Sequence, residues 1–227
     1  MSRSTPTRVV SIGCSCINRF QFDFFVTRHP ETADSFPRGL FDWNIASLEA
    51  TLNILSLVAH GRLPAILEDE NGFNVAFDAL IVHDALPGFS FFHEETPQQL
   101  LGNPSRSAAF RGKIRHLAQP FLSPPSEQHI HLVWSNLQPN LPDTVENVIP
   151  WSDFVLTEAR YKRAKALGHR IFGHSASFTF LTTPEDTTLA SYAYPDVRVI
   201  QLARSAAYEG DPMLYDLVLR EALQLPG

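Results

Sequence analysis

A chain of 227 residues, 44% hydrophobic and 19% charged, is long enough to bury a sizeable core and too apolar to be disordered. Eighteen Lys and Arg against 24 Asp and Glu give a net charge of −6 and a pI near 5.8, which argues against non-specific nucleic-acid binding. Two cysteines, Cys14 and Cys16, exclude a disulfide-rich scaffold; no apolar run approaches the ~20 residues of a transmembrane helix, and the opening residues lack a signal-peptide pattern, so the expectation is a cytoplasmic protein with no membrane partner.

The first pattern along the chain is Arg8-Val9-Val10-Ser11-Ile12-Gly13, a β-branched run ending in glycine, which predicts a buried strand. A helical stripe follows over residues 15–28, with Cys16, Ile17, Phe20, Phe24 and Phe25 on its apolar side. Pro30 ends it, and a loop runs through Phe36-Pro37-Arg38-Gly39 to Phe41-Asp42-Trp43. Residues 46–60 predict a second helix, with Ser47 as N-cap and Gly61 after its end. Val75 to Val82 and Phe89 to Phe92 read as extended, with Pro87-Gly88 as a hairpin turn between them.

Residues 105–122 predict a helix carrying Arg106, Arg111, Lys113 and Arg115 outward. His129 to Ser135 reads as a strand. Residues 153–167 predict a helix stopped by Gly168, and residues 177–183 and 197–203 predict strands. A closing helix is expected over residues 211–225, with Asp211 as N-cap and Pro212 at its first position. This alternation predicts one α/β domain over residues 1–227, with residues 1–7 as a flexible arm. The expected architecture is Rossmann-like, three layers with a mostly parallel central sheet and helices on both faces.

Cys14 and Cys16 fall where the first strand hands over to the first helix. A thiol there meets the positive end of the helix dipole, which favours the nucleophilic thiolate, and backbone N–H groups of the Gly13–Cys16 turn could receive an oxyanion. The competing reading is a space-filling cysteine, the commoner fate of a free thiol. A thiol nucleophile needs a base, and among nine histidines His83 and His93 stand out because each ends a predicted strand and precedes an acid. Asp42 either orients that imidazole or ties down its own loop. Trp43 reads as a core or cavity wall. His129 and His131 share a strand face, but no third ligand is evident and no metal is expected. No glycine-rich phosphate loop follows the first strand, and no cofactor is expected.

Ser11-Ile12-Gly13-Cys14-Ser15-Cys16, then Pro37-Arg38-Gly39-Leu40-Phe41-Asp42-Trp43 and Ser47-Leu48-Glu49, together resemble a bacterial family of unknown function labelled papain-like cysteine peptidases. That family's pattern is Ser-Leu-Gly-x-x-Cys followed by Pro-Phe-Asp-Trp. His93-Glu94, Phe110 to Arg115, Leu132-Val133-Trp134 and Tyr208 to Asp211 match its later elements. The resemblance puts Cys16 at the family's cysteine, with Cys14 at a small-residue position. It implies a cysteine-dependent hydrolase or acyltransferase, with Cys16 as nucleophile, His93 as base and Asp42 as orienter. The substrate would be a small molecule, glycan or peptide, and a homodimer is allowed. A papain-like α+β fold is the alternative architecture.

The opening block also resembles SGNH-type hydrolases, with Ser11 or Ser15 as nucleophile and Asn136 of Trp134-Ser135-Asn136 in the oxyanion site. The late Asp-x-x-His of that family is absent, since Leu214 stands where its histidine belongs. A third reading is a non-catalytic domain that binds a small molecule, glycan or protein. It would be signalled by part of the chain's 17 phenylalanines forming an exposed patch.

Overall fold

The computed structural model describes residues 6–76, 80–91, 94, 96–125, 127–138, 140–141, 145, 148–174, 176–201 and 210–225. The fold is mixed α/β, with one four-stranded parallel sheet, one four-stranded antiparallel sheet, and helices.

The parallel sheet consists of β1 (Thr7–Ser11), β6 (His129–Ser135), β7 (Ser177–Thr182) and β8 (Val197–Val199), in that spatial order. Its register runs Thr7↔His129 to Ser11↔Val133, then His131↔Ser177 to Ser135↔Leu181. Side chains alternate between faces, as strand geometry demands. Val9, Val133 and Leu181 join one apolar cluster with Ile17, Phe22 and Phe25 of α1 (Ile17–Arg28) and Val218 and Leu219 of the last helix. Val10, Leu132, Trp134 and Phe180 join a larger cluster on the other side, with α2 (Leu48–Ala59) and Phe110, Ile114 and Phe121 of α5 (Pro104–Leu122).

The antiparallel sheet lies between β1 and β6 in sequence. It comprises β2 (Ile45–Ala46), β3 (Phe73–Ala76), β4 (Leu80–His83) and β5 (Phe89–Phe91), in the order β2-β5-β4-β3. The expected hairpin at Pro87-Gly88 joins β4 to β5, with Gly88 at φ +75°. The rest of this sheet escaped the sequence reading. The run taken as one extended segment from Val75 to Val82 contributes to two antiparallel strands, β3 and β4. Parallel pairing therefore accounts for one sheet of the two. Short helices α3 (Leu63–Glu68) and α4 (Pro97–Gly102) flank these strands.

Three helix expectations need correction. The helix expected over 153–167 is α6, Glu158–Phe172, capped by Thr157. Gly168 does not stop it. A Cβ on Gly168 would lie 2.6 Å from the Phe178 ring and 2.9 Å from Leu132, so this glycine marks where α6 presses on the parallel sheet; the helix ends at Gly173, φ +86°. The closing helix α7 is Asp216–Leu223. Asp211 accepts from the Met213 N–H (2.7 Å) within a turn that precedes it, which places fully buried Tyr215 before the helix. In α1 the buried face is Ile17, Asn18, Arg19, Gln21, Phe22 and Phe25, more polar than the expected stripe. The cationic side of α5 is partnered: Arg111 with Glu70, Arg115 with Glu68 and Lys113 with Glu94.

No phenylalanine among the described residues is strongly exposed; the large apolar side chains that are exposed are Tyr192, Met213 and Leu217. The patch that a phenylalanine-lined binding groove would need is therefore not formed by those rings. Among the described residues, no helix is long and apolar enough to cross a membrane.

Candidate active site at the first strand–helix turn

β1 leads through Ile12 and Gly13 to a turn at the carboxyl end of the parallel sheet, where open α/β sheets place their ligands. Gly13 is required here. Its φ is +114°, and a Cβ would meet Thr51 Oγ1 at 2.9 Å. Thr51 uses that hydroxyl to donate to Ile12 O (2.9 Å), which pins α2 to the strand end. Asn18, the second residue of α1, closes the turn. Its Nδ2 reaches Gly13 O (2.5 Å), Ser11 Oγ (2.9 Å) and Val133 O (3.2 Å), and its Oδ1 accepts from Tyr215 OH (2.9 Å). Neither Asn18 nor Tyr215 was singled out from the sequence, because a buried carboxamide on a helix has no local pattern.

The two cysteines diverge. Cys14 is fully buried; its N–H donates to Ser135 O (3.0 Å) and its carbonyl accepts from the Ala46 N–H (2.7 Å). That residue joins the parallel sheet to the antiparallel one through an isolated bridge to Ala46. Its Sγ–H donates to Ser135 O (2.5 Å), and burial pushes the thiol far above the ordinary range. Cys14 is a structural thiol. Cys16 is the N-cap residue of α1 and retains 9% exposure. Its Sγ lies 3.5 Å from Gln138 Oε1, at the end of the chain segment that leaves β6. Phe20 stands one helical turn further on the same face and meets Trp43 edge-on at 5.2 Å, with Arg38 over the indole at 5.6 Å. Trp43 is half-buried, a wall beside the first turn of α1.

The turn's backbone donors are largely committed. Gly13 N–H goes to Ser11 Oγ (3.4 Å), Cys14 N–H to Ser135 O, and Ile17 N–H to Ser15 Oγ (3.4 Å). Gly13 and Cys14 therefore do not supply the oxyanion donors expected of them. The same bonds bear on the serine alternatives: Ser11 and Ser15 are 1% and 0% exposed and each accepts a local hydrogen bond, so neither opens to a substrate.

Asp42 is 1% exposed. Its Oδ2 accepts the Gly39 N–H (2.8 Å) and lies 3.9 Å from Arg19 Nη1, so it ties down its loop, the commoner of the two readings. Its Oδ1 is buried with no hydrogen-bond partner among the described residues. Burial raises the carboxyl to about 6, against opposing pulls from the Gly39 N–H and from Arg19. His93 lies outside the described residues. His83 is buried; its Nδ1 accepts the Ala85 N–H (3.1 Å), and its ring is packed edge-on to Phe73 and against Gly72. Asn136 donates to Phe154 O (3.2 Å), a loop anchor, while its Oδ1 has no partner among the described residues.

Two residues that the sequence did not flag belong to this edge. Gln138 faces Cys16. Asp186, after β7, accepts from Trp151 Nε1 (2.7 Å) and Thr183 Oγ1 (2.7 Å) and acts on Cys14 through its charge. Both follow a strand of the parallel sheet, and that placement is the signal that would have found them. No group of three or more metal-type ligands occurs among the described residues, His129 and His131 included. Comparison with protein families, with characterised proteins and with solved structures finds no match to this chain.

Proposed function

We propose that this protein is a thiol-dependent hydrolase or acyltransferase with Cys16 as its nucleophile. The observation that carries the reading is the position of Cys16: at the N-terminal end of a 12-residue helix, at the carboxyl edge of a parallel sheet, with its Sγ against a side-chain amide. The helix end favours the thiolate and the negative charge that develops on an attacked carbonyl. The half-buried Phe20 and Trp43 form a wall on which the acyl group rests.

The mechanism needs a base, since the thiol proton must leave before attack. His93 takes that role in this reading, with Asp42 Oδ1 accepting from the far side of its ring. Described neighbours support the pairing: β5 runs antiparallel to β2, so its end at Phe91 heads back toward the loop that carries Asp42. The finer architecture, three layers with a Rossmann-like or SGNH-like arrangement, is part of the same proposal. It rests on the two apolar clusters that divide the residues of β1, β6 and β7 between opposite faces. The family resemblance of the Cys16 and Asp42-Trp43 motifs points to the same chemistry.

The test uses p-nitrophenyl acetate. The wild type should release nitrophenolate and acquire a thioester on the Cys16 peptide that neutral hydroxylamine removes. Cys16→Ser should abolish that thioester and Cys14→Ser should retain it. His93→Gln should slow its formation by about 100-fold or more. A folded wild type that forms no thioester would transfer the case to the non-catalytic binding reading.

A further inference from the structure

The parallel sheet has a second cluster of chemistry at its opposite edge, where the strands begin. The register His131↔Ser177 and the two-residue alternation put His129, His131, Ser177 and Thr179 on one face. Further along that face, Val9, Val133 and Leu181 are covered by α1 and α7. The polar four lie where this cover gives way to a cavity of about 490 Å³.

These side chains form a hydrogen-bonded chain. His129 Nε2 is 2.7 Å from Ser177 Oγ, His131 Nδ1 is 2.7 Å from the same oxygen, and His131 Nε2 is 3.0 Å from Thr179 Oγ1. Each contact needs one proton, and a hydroxyl or a neutral imidazole supplies one. The chain is satisfied when Thr179 O–H donates to His131 Nε2, His131 Nδ1–H donates to Ser177 Oγ, and Ser177 O–H donates to His129 Nε2. Burial, with a smaller push from His129 and against a pull from Asp196, takes His131 down to about 4; burial lowers His129 as well. Both rings are then neutral at pH 7. All four residues line the cavity; Thr179 and His131 are buried there, while Ser177 and His129 are half-buried and the more accessible pair.

The remaining charges of the lining cancel in pairs. Lys165 meets Asp196 at 2.6 Å, and Arg198 meets Glu221 at 3.0 Å. A lining without net charge favours an uncharged ligand, and the volume suits a small one.

We propose that Ser177 is a nucleophile with His129 as its general base, and that the cavity admits a small uncharged carboxylic ester. Ser177 Oγ forms a bond to the acyl carbon as its proton passes to His129 Nε2. The ester C–O bond breaks, and the departing alcohol takes that proton from His129. Water then attacks the acyl-serine, gives a proton to His129, and releases the acid as Ser177 recovers its hydrogen. His131 and Thr179 are positioning residues, and the step is independent of Cys16.

A fluorophosphonate ester, followed by intact-mass and peptide-mapping measurements on the full chain, tests this. The wild type should acquire one phosphonyl group on Ser177 with loss of fluoride, and Ser177→Ala should acquire none there. His129→Gln and His129→Asn should each label about 100-fold more slowly. The wild-type rate should fall as acid protonates His129. No adduct on Ser177 in natively folded wild type would overturn the proposal, since that measurement needs no variant. An adduct whose rate is unchanged in folded His129 variants would overturn it equally.

Discussion

Cys14 and Cys16 are two residues apart and chemically opposed. Cys14 gives its thiol proton to a backbone carbonyl inside the core, while Cys16 sits at a helix end with residual exposure. The sequence located the turn, because a β-branched run, a glycine and an amphipathic stretch leave few alternatives. It did not separate the two thiols without the family resemblance, since the separation depends on Ser135, 121 residues away. Asp42 gives a sharper test. Its folded pKa, about 6, lies above the ordinary 3.8. The folded state therefore holds more protons than the unfolded state between those values, and stability falls as pH rises through that window. Asp42→Asn removes this dependence. Chemical denaturation should show the variant more stable than wild type at pH 7 by on the order of 2 kcal/mol, with the gap closing below about pH 4. If Asp42 orients the catalytic base, the same variant should lose acyl transfer by about 10³-fold or more. Lower stability at pH 7 would contradict the account of its burial.

Two glycines in helices show what local pattern conveys at the scale of elements. Gly168 reads as a stop signal and is instead a point of contact, with its missing Cβ filled by Phe178 and Leu132. Gly112 in α5 has nothing within 4 Å of its Cβ position. The same substitution should therefore have opposite signs. Gly112→Ala should stabilise by roughly 0.5–1 kcal/mol through helix propensity. Gly168→Ala should destabilise by about 1–3 kcal/mol through overpacking. Urea midpoints of the two variants check this, and equal signs would refute it. Helix α2 was legible because its cap and periodicity agree, Ser47 accepting from the Ala50 N–H; the cap of α5, where Asn103 accepts from the Arg106 N–H, lies outside the expected helix and was not read. The start of α7 was not. Asp211-Pro212 imitates a cap, but burial of Tyr215 beside Asn18 holds the preceding residues in turns.

At the scale of the whole molecule, the parallel sheet was legible from alternating strands and helices, and the antiparallel sheet was not. Its β2 has two residues, and strand pairs of that length leave almost no periodicity to read. The two parts meet at the Cys14–Ala46 bridge and again where α2 packs on α6. There Glu49 receives Arg160 (3.3 Å) and Arg163 (2.6 Å), while Asn53 also receives Arg163 (2.8 Å). These groups are partly exposed, so solvent screening limits their contribution. Glu49→Gln should cost about 1 kcal/mol at low salt and less at high salt, measured by thermal unfolding. A loss insensitive to salt would assign Glu49 a packing role instead.

The central claim, that Cys16 and not Cys14 is an activated thiol nucleophile, is tested most directly by the rate of iodoacetamide alkylation against pH in wild type, Cys14→Ser and Cys16→Ser. The account predicts fast labelling at pH 7, where an ordinary thiol ionising near ~8.5 reacts slowly. That phase should be kept in Cys14→Ser and lost in Cys16→Ser. Slow labelling of both thiols in the folded protein would contradict it and make both cysteines structural.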